Sequence, residues 1–234
     1  MIGLAENLEK VRERVNRALL RAGGPSREVL LVAVTKTVGP EEIKALAALG
    51  VKEIGENRVQ DALRKQQVLG DEARLFRWHM IGTLQRNKVG RAVENFAFIH
   101  SLDRLELALE INKASLQREK KTPVLIQVNV AGEETKHGLD PEELFDFYEE
   151  VKDLPGLSLQ GLMTMAPLVP RGEEVRPVFA RLRELYWEIA RRFQPGGEWQ
   201  HLSMGMSNDF EVAVEEGATM IRVGSVLFQA SEEG

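Results

Sequence analysis

The sequence contains no cysteine, which excludes a disulfide framework, a cysteine-ligated zinc site, an iron–sulfur cluster and a thiol nucleophile. It also has no uncharged apolar run approaching the roughly 20 residues that a membrane-spanning helix needs. The first residues, Met1 to Asn7, lack the apolar stretch of a signal peptide. We therefore expect a cytoplasmic protein without a membrane partner.

Positive charge is not in excess either. The 31 Lys and Arg residues are outnumbered by 36 Asp and Glu residues, and the net charge is −5. This balance argues against a nucleic-acid partner, because phosphate recognition needs a basic surface. The motifs G-x-G-x-x-G and G-x-x-x-x-G-K-[ST], which are typical of dinucleotide and nucleoside triphosphate sites, are also absent.

What the sequence does contain is an alternation of amphipathic segments and short apolar runs. Residues 4–22 carry Leu and Val at helical spacing between charges, which predicts a helix. Residues 29–34 (VLLVAV) are typical of a strand that is buried on both faces. The same alternation predicts strands near 29–35, 51–55, 76–81, 96–100, 123–130, 157–165, 199–204 and 219–224. It predicts helices near 40–49, 57–69, 84–93, 103–118, 140–152, 173–193 and 208–216.

Eight strands that alternate with helices predict a parallel α/β fold in one domain over residues 1–234. The number favours a closed (β/α)8 TIM barrel with an extra N-terminal helix, and an open doubly wound sheet is the alternative. Three helix starts carry the spacing of a capping box, namely Asp103 with Glu106, Asp140 with Glu143, and Asn208 with Glu211.

In such a barrel the functional residues lie where strands end. Lys36 follows the first strand directly, so we expect its stem close to the barrel interior. A lysine amine that is withdrawn from water can act as a Schiff-base nucleophile. The alternative is a lysine that only extends from the strand end into solvent.

Small residues follow the last two strands, at 203–208 (SMGMSN) and at Gly224-Ser225. Loops at these positions often bind phosphate, because their backbone N–H groups can approach an anion. The alternative is ordinary turn and helix-capping chemistry. A lysine on the first strand that faces a phosphate site on the last two suggests pyridoxal phosphate. One group would bond the aldehyde carbon and the other would hold the phosphate.

The sequence resembles the pyridoxal phosphate homeostasis proteins, whose barrel is similar to the N-terminal domain of alanine racemases. The resemblance runs from near residue 4 to near residue 228, and eight blocks carry it in order. They are 33–36 (AVTK), 55–60 (GENRVQ), 78–88 (WHMIGTLQRNK), 128–129 (VN), 136–138 (KHG), 161–165 (GLMTM), 202–209 (LSMGMSND) and 221–225 (IRVGS).

The resemblance implies that the cofactor is pyridoxal 5'-phosphate and that Lys36 carries it as a Schiff base. The residues that it implies around the cofactor are Asn57 near the ring, Met163 and Met204 against the ring, Arg222 at the pyridine nitrogen, and Ser203, Gly205, Gly224 and Ser225 at the phosphate. His79 and Ser207 are candidates for a supporting role behind these residues. For Arg222 the alternative is an ion pair with Asp209 or Glu56.

Two residue types also have a simpler interpretation. His79, His100 and His201 lie on three predicted strands without the spacing of a metal-binding motif, so we expect structural histidines and no metal site. Methionine usually fills irregular core space, so packing is the alternative to cofactor contact for Met163, Met165, Met204 and Met206.

Three classes of function follow: a pyridoxal phosphate carrier, a racemase that uses the same cofactor, and a metal-dependent hydrolase. The hydrolase lacks its ligand spacing. A racemase needs a second proton donor on the far face of the cofactor, and alanine racemases take it from a tyrosine in a further β domain. This sequence ends soon after the eighth strand, and its two tyrosines, Tyr148 and Tyr186, lie in predicted outer helices.

We therefore expect a protein of pyridoxal phosphate homeostasis or delivery with little or no catalysis. Pyridoxal phosphate-dependent apoenzymes are its candidate recipients. The missing dimerising domain favours a monomer. The racemase stays the alternative.

Overall fold

The computed structural model describes residues 2–24, 28–133, 137–169 and 171–229. Eight parallel strands form a closed barrel in chain order. They are β1 (Leu30–Val34), β2 (Glu53–Glu56), β3 (Arg77–Met80), β4 (Phe98–Leu102), β5 (Thr122–Gln127), β6 (Leu157–Met163), β7 (His201–Ser203) and β8 (Met220–Val223). β8 pairs with β1, so the sheet has no free edge. The closed barrel is confirmed over the open sheet.

Helices lie on the outside of the barrel, with one helix before β1 and at least one after each strand. They are α1 (Ile2–Arg21), α2 (Pro40–Ala48), α3 (Val59–Leu69), α4 (Val89–Asn95), α5 (Leu105–Leu116), α6 (Leu144–Val151), α7 (Arg176–Phe193), α8 (Phe210–Glu215) and α9 (Ser225–Phe228). Short 3-10 turns occupy Gly70–Leu75, Arg86–Lys88 and Gly172–Val175. None of the helices in the described residues is both long and apolar enough to cross a membrane.

The first helix is the extra one that precedes the barrel. α1 packs against α8 and α9, and Arg14 forms an ion pair of 2.8 Å with Glu211 of α8. The side chain of Asn7 donates a hydrogen bond of 3.1 Å to the carbonyl of Leu227 in α9. α1 therefore braces the two helices that follow the last two strands.

Alternating residues of each strand divide the apolar core in two. Residues that point outward, such as Ile54, Ile99 and Leu162, pack under the helices in the larger cluster. Phe98, Leu125, Met163 and Met220 form a smaller cluster, which lies inside the barrel. Polar side chains share that interior, as the site below shows.

The three predicted capping boxes are wrong in the described residues. The N-caps of α5, α6 and α8 are Arg104, Glu143 and Asp209, and none makes a side-chain capping bond. The carboxylate of Asp140 instead accepts a hydrogen bond from the N–H of Glu142, within the turn that precedes α6. The bond from the N–H of Gly39 to the carboxylate of Glu42, at the start of α2, is one that we did not predict.

Candidate functional site

A cavity of about 1040 Å³ opens at the carboxyl ends of the strands. Of the nine residues expected around a cofactor, five line it: Lys36 after β1, Asn57 after β2, Arg222 in β8, and Gly224 and Ser225 after β8. The other four, Met163, Ser203, Met204 and Gly205, are buried and do not line it. The location agrees with the rule that functional residues lie where barrel strands end.

Lys36 stands in the turn after β1 and lines this cavity. The residue is exposed, so the expectation that it is withdrawn from water is wrong. The strand ends at Val34, and residue 36 therefore lies beyond the packed layer of the barrel. In the described part of the chain the Lys36 amine has neither a hydrogen bond nor an ion pair, so it is available for a ligand.

In the same cavity, on the side of β8 and therefore next to β1, Ser207 meets the backbone that follows β8. Its hydroxyl oxygen accepts hydrogen bonds from the N–H groups of Gly224, at 3.3 Å, and of Val226, at 3.4 Å. Ser225, between these two residues, also lines the cavity. Two backbone donors thus converge on the Ser207 hydroxyl, and Ser225 lines the same cavity, which is a donor set suited to a phosphate.

The loop that presents Ser207 is shaped by a glycine and an aspartate. Gly205 has φ of +93°, and a Cβ there would lie 2.6 Å from the Cβ of Ala213 in α8. Asp209 accepts a hydrogen bond of 2.5 Å from the N–H of Met206. Gly205 therefore supports the predicted phosphate loop from behind, where only a residue without a side chain fits.

Arg222 lies inside the barrel and reaches the cavity from below. Its guanidinium donates hydrogen bonds of 2.7 Å to the hydroxyl of Ser203 and 2.8 Å to the carbonyl of Thr164. Burial lowers the pKa of Arg222 to about 10, and the negative charge of Asp209 opposes this shift. The group therefore stays protonated at neutral pH and places a fixed positive charge at the cavity floor.

Glu56, the other expected partner of Arg222, is engaged elsewhere. Its carboxylate faces outward from β2, where it accepts a hydrogen bond of 2.5 Å from Thr35 and pairs with Lys65 of α3 at 2.7 Å. The second carboxylate oxygen of Glu56 is buried without a hydrogen-bond partner in the described residues. This pair ties β1 and β2 to the helix layer and leaves Arg222 to the interior.

The methionines at the cavity differ from those that we expected. Met163 belongs to the apolar cluster inside the barrel and Met204 to the core under the helices, and both are 0% exposed. Met165 and Met206, each two positions later, line the cavity instead. Direct contact of Met163 or Met204 with a ligand in this cavity would need the intervening residues to move.

The three histidines that we expected to be structural lie away from the cavity, as do both tyrosines. His79 and His100 are fully buried and hydrogen-bonded to each other. The part of the chain that the structure describes holds no cluster of side chains suited to a metal ion. Tyr148 in α6 and Tyr186 in α7 pack against Trp199. Neither tyrosine lines the cavity.

One block of the family resemblance lies partly outside the described residues. Lys136 is not described, whereas His137 is described and lines the cavity. From the sequence, Ser207 was a candidate hydroxyl donor or supporting residue at the phosphate, and Met165 and Met206 were expected either to contact the cofactor or to pack. Each of these three residues lies two positions after a residue that we expected at the cofactor. This spacing was the signal available in the sequence.

Comparison with known proteins places this geometry in a family. The family model for the alanine racemase N-terminal domain matches residues 6–232. The pyridoxal phosphate homeostasis protein of Aquifex aeolicus strain VF5 is 46% identical over 223 residues, which are 95% of this chain and 96% of that protein.

Solved structures agree with this match. PipY of Synechococcus elongatus PCC7942, solved with PLP bound, is 34% identical and superposes with a TM-score of 0.84 over 97% of this chain and 100% of its own. Alanine racemase of Clostridium difficile 630 shares the fold, with a TM-score of 0.74 at 16% identity over 99% of this chain and 58% of its own. The chain belongs to the pyridoxal phosphate homeostasis protein family.

Proposed function

We propose that this chain binds pyridoxal 5'-phosphate in the cavity and serves pyridoxal phosphate homeostasis. The observation that carries the proposal is the convergence on one cavity of an unpaired lysine amine, a set of phosphate donors and a buried guanidinium. The donor set fits the group, since a phosphate can replace the Ser207 oxygen as the acceptor of the two N–H groups. The cofactor bound to PipY, which shares 34% of its residues, supports the same reading.

Lys36 would hold the cofactor aldehyde as a Schiff base, and Ser207, Gly224 and Ser225 would hold its phosphate. Asn57 follows β2, on the other side of β1 from β8, and lines the cavity; it would contact the ring. Ser203 and Gly205 would act indirectly, through Arg222 and through the loop backbone. Met165 and Met206 would contact the ring in place of Met163 and Met204.

Little or no catalysis forms part of the proposal, because of the charge on Arg222. The cofactor supplies an electron sink for carbanion chemistry when its ring nitrogen is protonated. A permanent cation at the cavity floor disfavours that protonation. Arg222 would therefore hold the cofactor in a state that restrains chemistry at a bound amino acid.

The role in homeostasis needs release as well as binding. Lys36 is exposed and the cavity opens to solvent, so a bound cofactor would stay accessible to pyridoxal phosphate-dependent apoenzymes, which we propose as recipients. We also propose that the protein acts in the cytoplasm as a monomer. In support of a monomer, large exposed apolar residues such as Leu20, Val68, Leu116 and Trp187 lie on different helices. Light scattering after gel filtration tests this state.

Substitution of Lys36 tests the attachment. We expect wild-type protein to show the absorption of a bound pyridoxal phosphate, and borohydride to fix the cofactor on the peptide that contains Lys36. Lys36→Ala should abolish this fixation and leave the fold intact, because the residue is exposed and makes no contact that the fold needs. Lys88→Ala is the matched control, since Lys88 lines the same cavity. Fixation that survives in Lys36→Ala, or is lost in Lys88→Ala, would refute the assignment.

The fold of alanine racemase favours racemisation as the second candidate function. Exchange of the α-hydrogen of alanine with deuterated solvent, followed by NMR, separates the two. We expect less than about one turnover per second, the low end of ordinary enzyme rates, because neither tyrosine lines the cavity to donate the second proton. Faster exchange would contradict the proposal of little or no catalysis.

A further inference from the structure

A continuous row of hydrogen-bonded side chains runs through the barrel interior behind the cavity. Arg222 Nη1 lies 2.7 Å from Ser203 Oγ, and Ser203 Oγ lies 3.0 Å from His100 Nδ1. His100 Nε2 lies 2.8 Å from His79 Nδ1, and His79 Nε2 lies 2.5 Å from a carboxylate oxygen of Glu53. Five side chains from β2, β3, β4, β7 and β8 therefore connect the cavity floor with the start of β2.

The row is withdrawn from water over nearly its whole length. His79, His100 and Ser203 are 0% exposed and Arg222 is 3% exposed. The ring of Phe98 stacks on His79 and meets His100 edge-on. In such surroundings a polar atom without a partner is costly, so the proton positions along the row are strongly constrained.

The two ends of the row fix its direction. A guanidinium can only donate hydrogen bonds and a carboxylate can only accept them. His79 must therefore carry its proton on Nε2, facing Glu53, which leaves its Nδ1 as an acceptor. His100 must then donate from Nε2 to His79 and accept at Nδ1 from the Ser203 hydroxyl. The oxygen of Ser203 is left with its lone pairs free to accept from Arg222.

The charges around the two rings favour this neutral arrangement. Burial lowers the pKa of His79, with Glu53 opposing and Arg77 adding to the shift. Burial also lowers the pKa of His100, well below its ordinary value, and the charge of Arg222 acts in the same direction, as would a proton on His79 or His201. Burial raises the pKa of Glu53, but its hydrogen bond with His79 and its contact with Arg77 outweigh this and lower it overall.

We propose that His79 and His100 are positioning residues for Arg222. Because both rings are held neutral between Glu53 and Ser203, the Ser203 hydroxyl proton points toward His100. A lone pair of the Ser203 oxygen then points toward Arg222. The guanidinium is thereby anchored at the cavity floor. If a proton were added to His79, its Nδ1 would become a donor and His100 would have to shift its own proton to Nδ1. The Ser203 hydroxyl would then lose its acceptor, so the row couples the far end of the barrel to the cavity.

The tautomers of the histidines are the first test, and they need no cofactor. Long-range proton–nitrogen NMR spectra of the full-length protein at neutral pH distinguish neutral rings protonated at Nε2 from those protonated at Nδ1 and from imidazolium. We expect both His79 and His100 to be neutral with the proton on Nε2. An imidazolium, or a proton on Nδ1 of either ring, would overturn the proposal.

A double-mutant cycle tests the positioning itself, and this step rests on the proposed function. His100→Phe and Ser203→Ala should each weaken pyridoxal phosphate binding by roughly tenfold, as for one lost hydrogen bond to a charged group. The double variant should be no weaker than either single variant, because His100 acts only through Ser203. The absorption spectrum of the bound cofactor should change in the same way in all three variants.

His201→Phe is the matched control. His201 also lies in the barrel, against Phe98, but bonds Thr219 and stands outside the row, so its replacement should leave affinity and spectrum unchanged. The proposal would be refuted if the losses of affinity in the cycle were additive, or if His201→Phe lost as much affinity as His100→Phe. The row would then have only a structural role. If His100→Phe does not fold, the wild-type tautomers and Ser203→Ala alone decide. If wild-type protein binds no pyridoxal phosphate, the proposed function is refuted. The tautomer test needs no cofactor and still decides whether the row has the predicted proton positions.

Discussion

Ser207 is the residue whose hydroxyl shapes the proposed phosphate site. Because its oxygen accepts the N–H groups of Gly224 and Val226, Ser207→Ala removes both this bridge and a donor to the phosphate. We expect about tenfold weaker pyridoxal phosphate binding, the effect of one hydrogen bond to a charged group. Fluorescence titration measures the affinity. Ser158→Ala is the control, since Ser158 lies near the start of β6 and bonds Glu198. Equal affinities of the Ser207 variant and the wild type would contradict this role.

Single residues also show how far the sequence predicts the site. Lys36, Asn57, Gly224 and Ser225 could be placed at the cavity because each follows a strand, and Arg222 because it lies near the end of β8. How deep a side chain lies within the barrel could not be predicted in the same way. Met163 ends β6 and Met165 follows it by two positions, and the stagger between neighbouring strands decides which one reaches the cavity. That stagger depends on contacts between strands far apart in sequence, which periodicity does not reveal.

At the scale of elements, the loop after β3 approaches the end of β2 very closely. A Cβ on Gly82 would lie 2.4 Å from the backbone oxygen of Asn57, so Gly82→Ala must push the two segments apart. We expect a loss of about 1–3 kcal/mol in the free energy of unfolding, as for other overpacked sites, and weaker cofactor binding because Asn57 lines the cavity. Urea unfolding and fluorescence titration measure the two effects.

Gly90 provides the matched comparison within the same connection. It lies in α4, and a Cβ there would meet only the side chain of Arg118, at 3.8 Å. Gly90→Ala should therefore be neutral or stabilise the protein by up to about 1 kcal/mol, because alanine restricts the unfolded chain. If both substitutions have the same effect, close packing against Asn57 is not what requires glycine at position 82.

Elements were predictable from the sequence to the extent that they are long. α7 was expected at 173–193 and spans Arg176–Phe193, because five turns of helix give a clear apolar period. α9 has 4 residues and was missed, since a single turn shows no period. α8 was expected from Asn208 but begins at Phe210, because the carboxylate of Asp209 bonds the N–H of Met206 rather than capping the helix.

For the whole molecule, closure of the barrel could be predicted because it follows from counting strands. The polar content of its interior could not. His79, His100 and Ser203 occur on separate strands, and each sequence position alone is typical of a structural residue. Closure brings them together with Glu53 and Arg222. The interior of this barrel is thus partly an apolar cluster and partly the hydrogen-bonded row. Because the row contains buried histidines, the stability of the fold depends on pH.

This linkage predicts a loss of stability in mild acid. His79, His100 and His201 all have lowered pKa values in the folded protein, chiefly through burial. Below about pH 6.5 the unfolded chain binds protons that the folded chain does not, so the free energy of unfolding falls as pH falls, by up to about 1.4 kcal/mol per pH unit for each such histidine.

Urea unfolding between pH 8 and pH 5, about the range in which histidine titrates, measures this slope at constant ionic strength. His100→Phe should reduce the slope below pH 6.5 by about the contribution of one proton, whatever its effect on stability at pH 8. Glu53 contributes in a separate window, because its lowered pKa means that its stabilisation is lost only in stronger acid, below about pH 4.3. A wild-type slope in His100→Phe would show that His100 is already charged in the folded barrel.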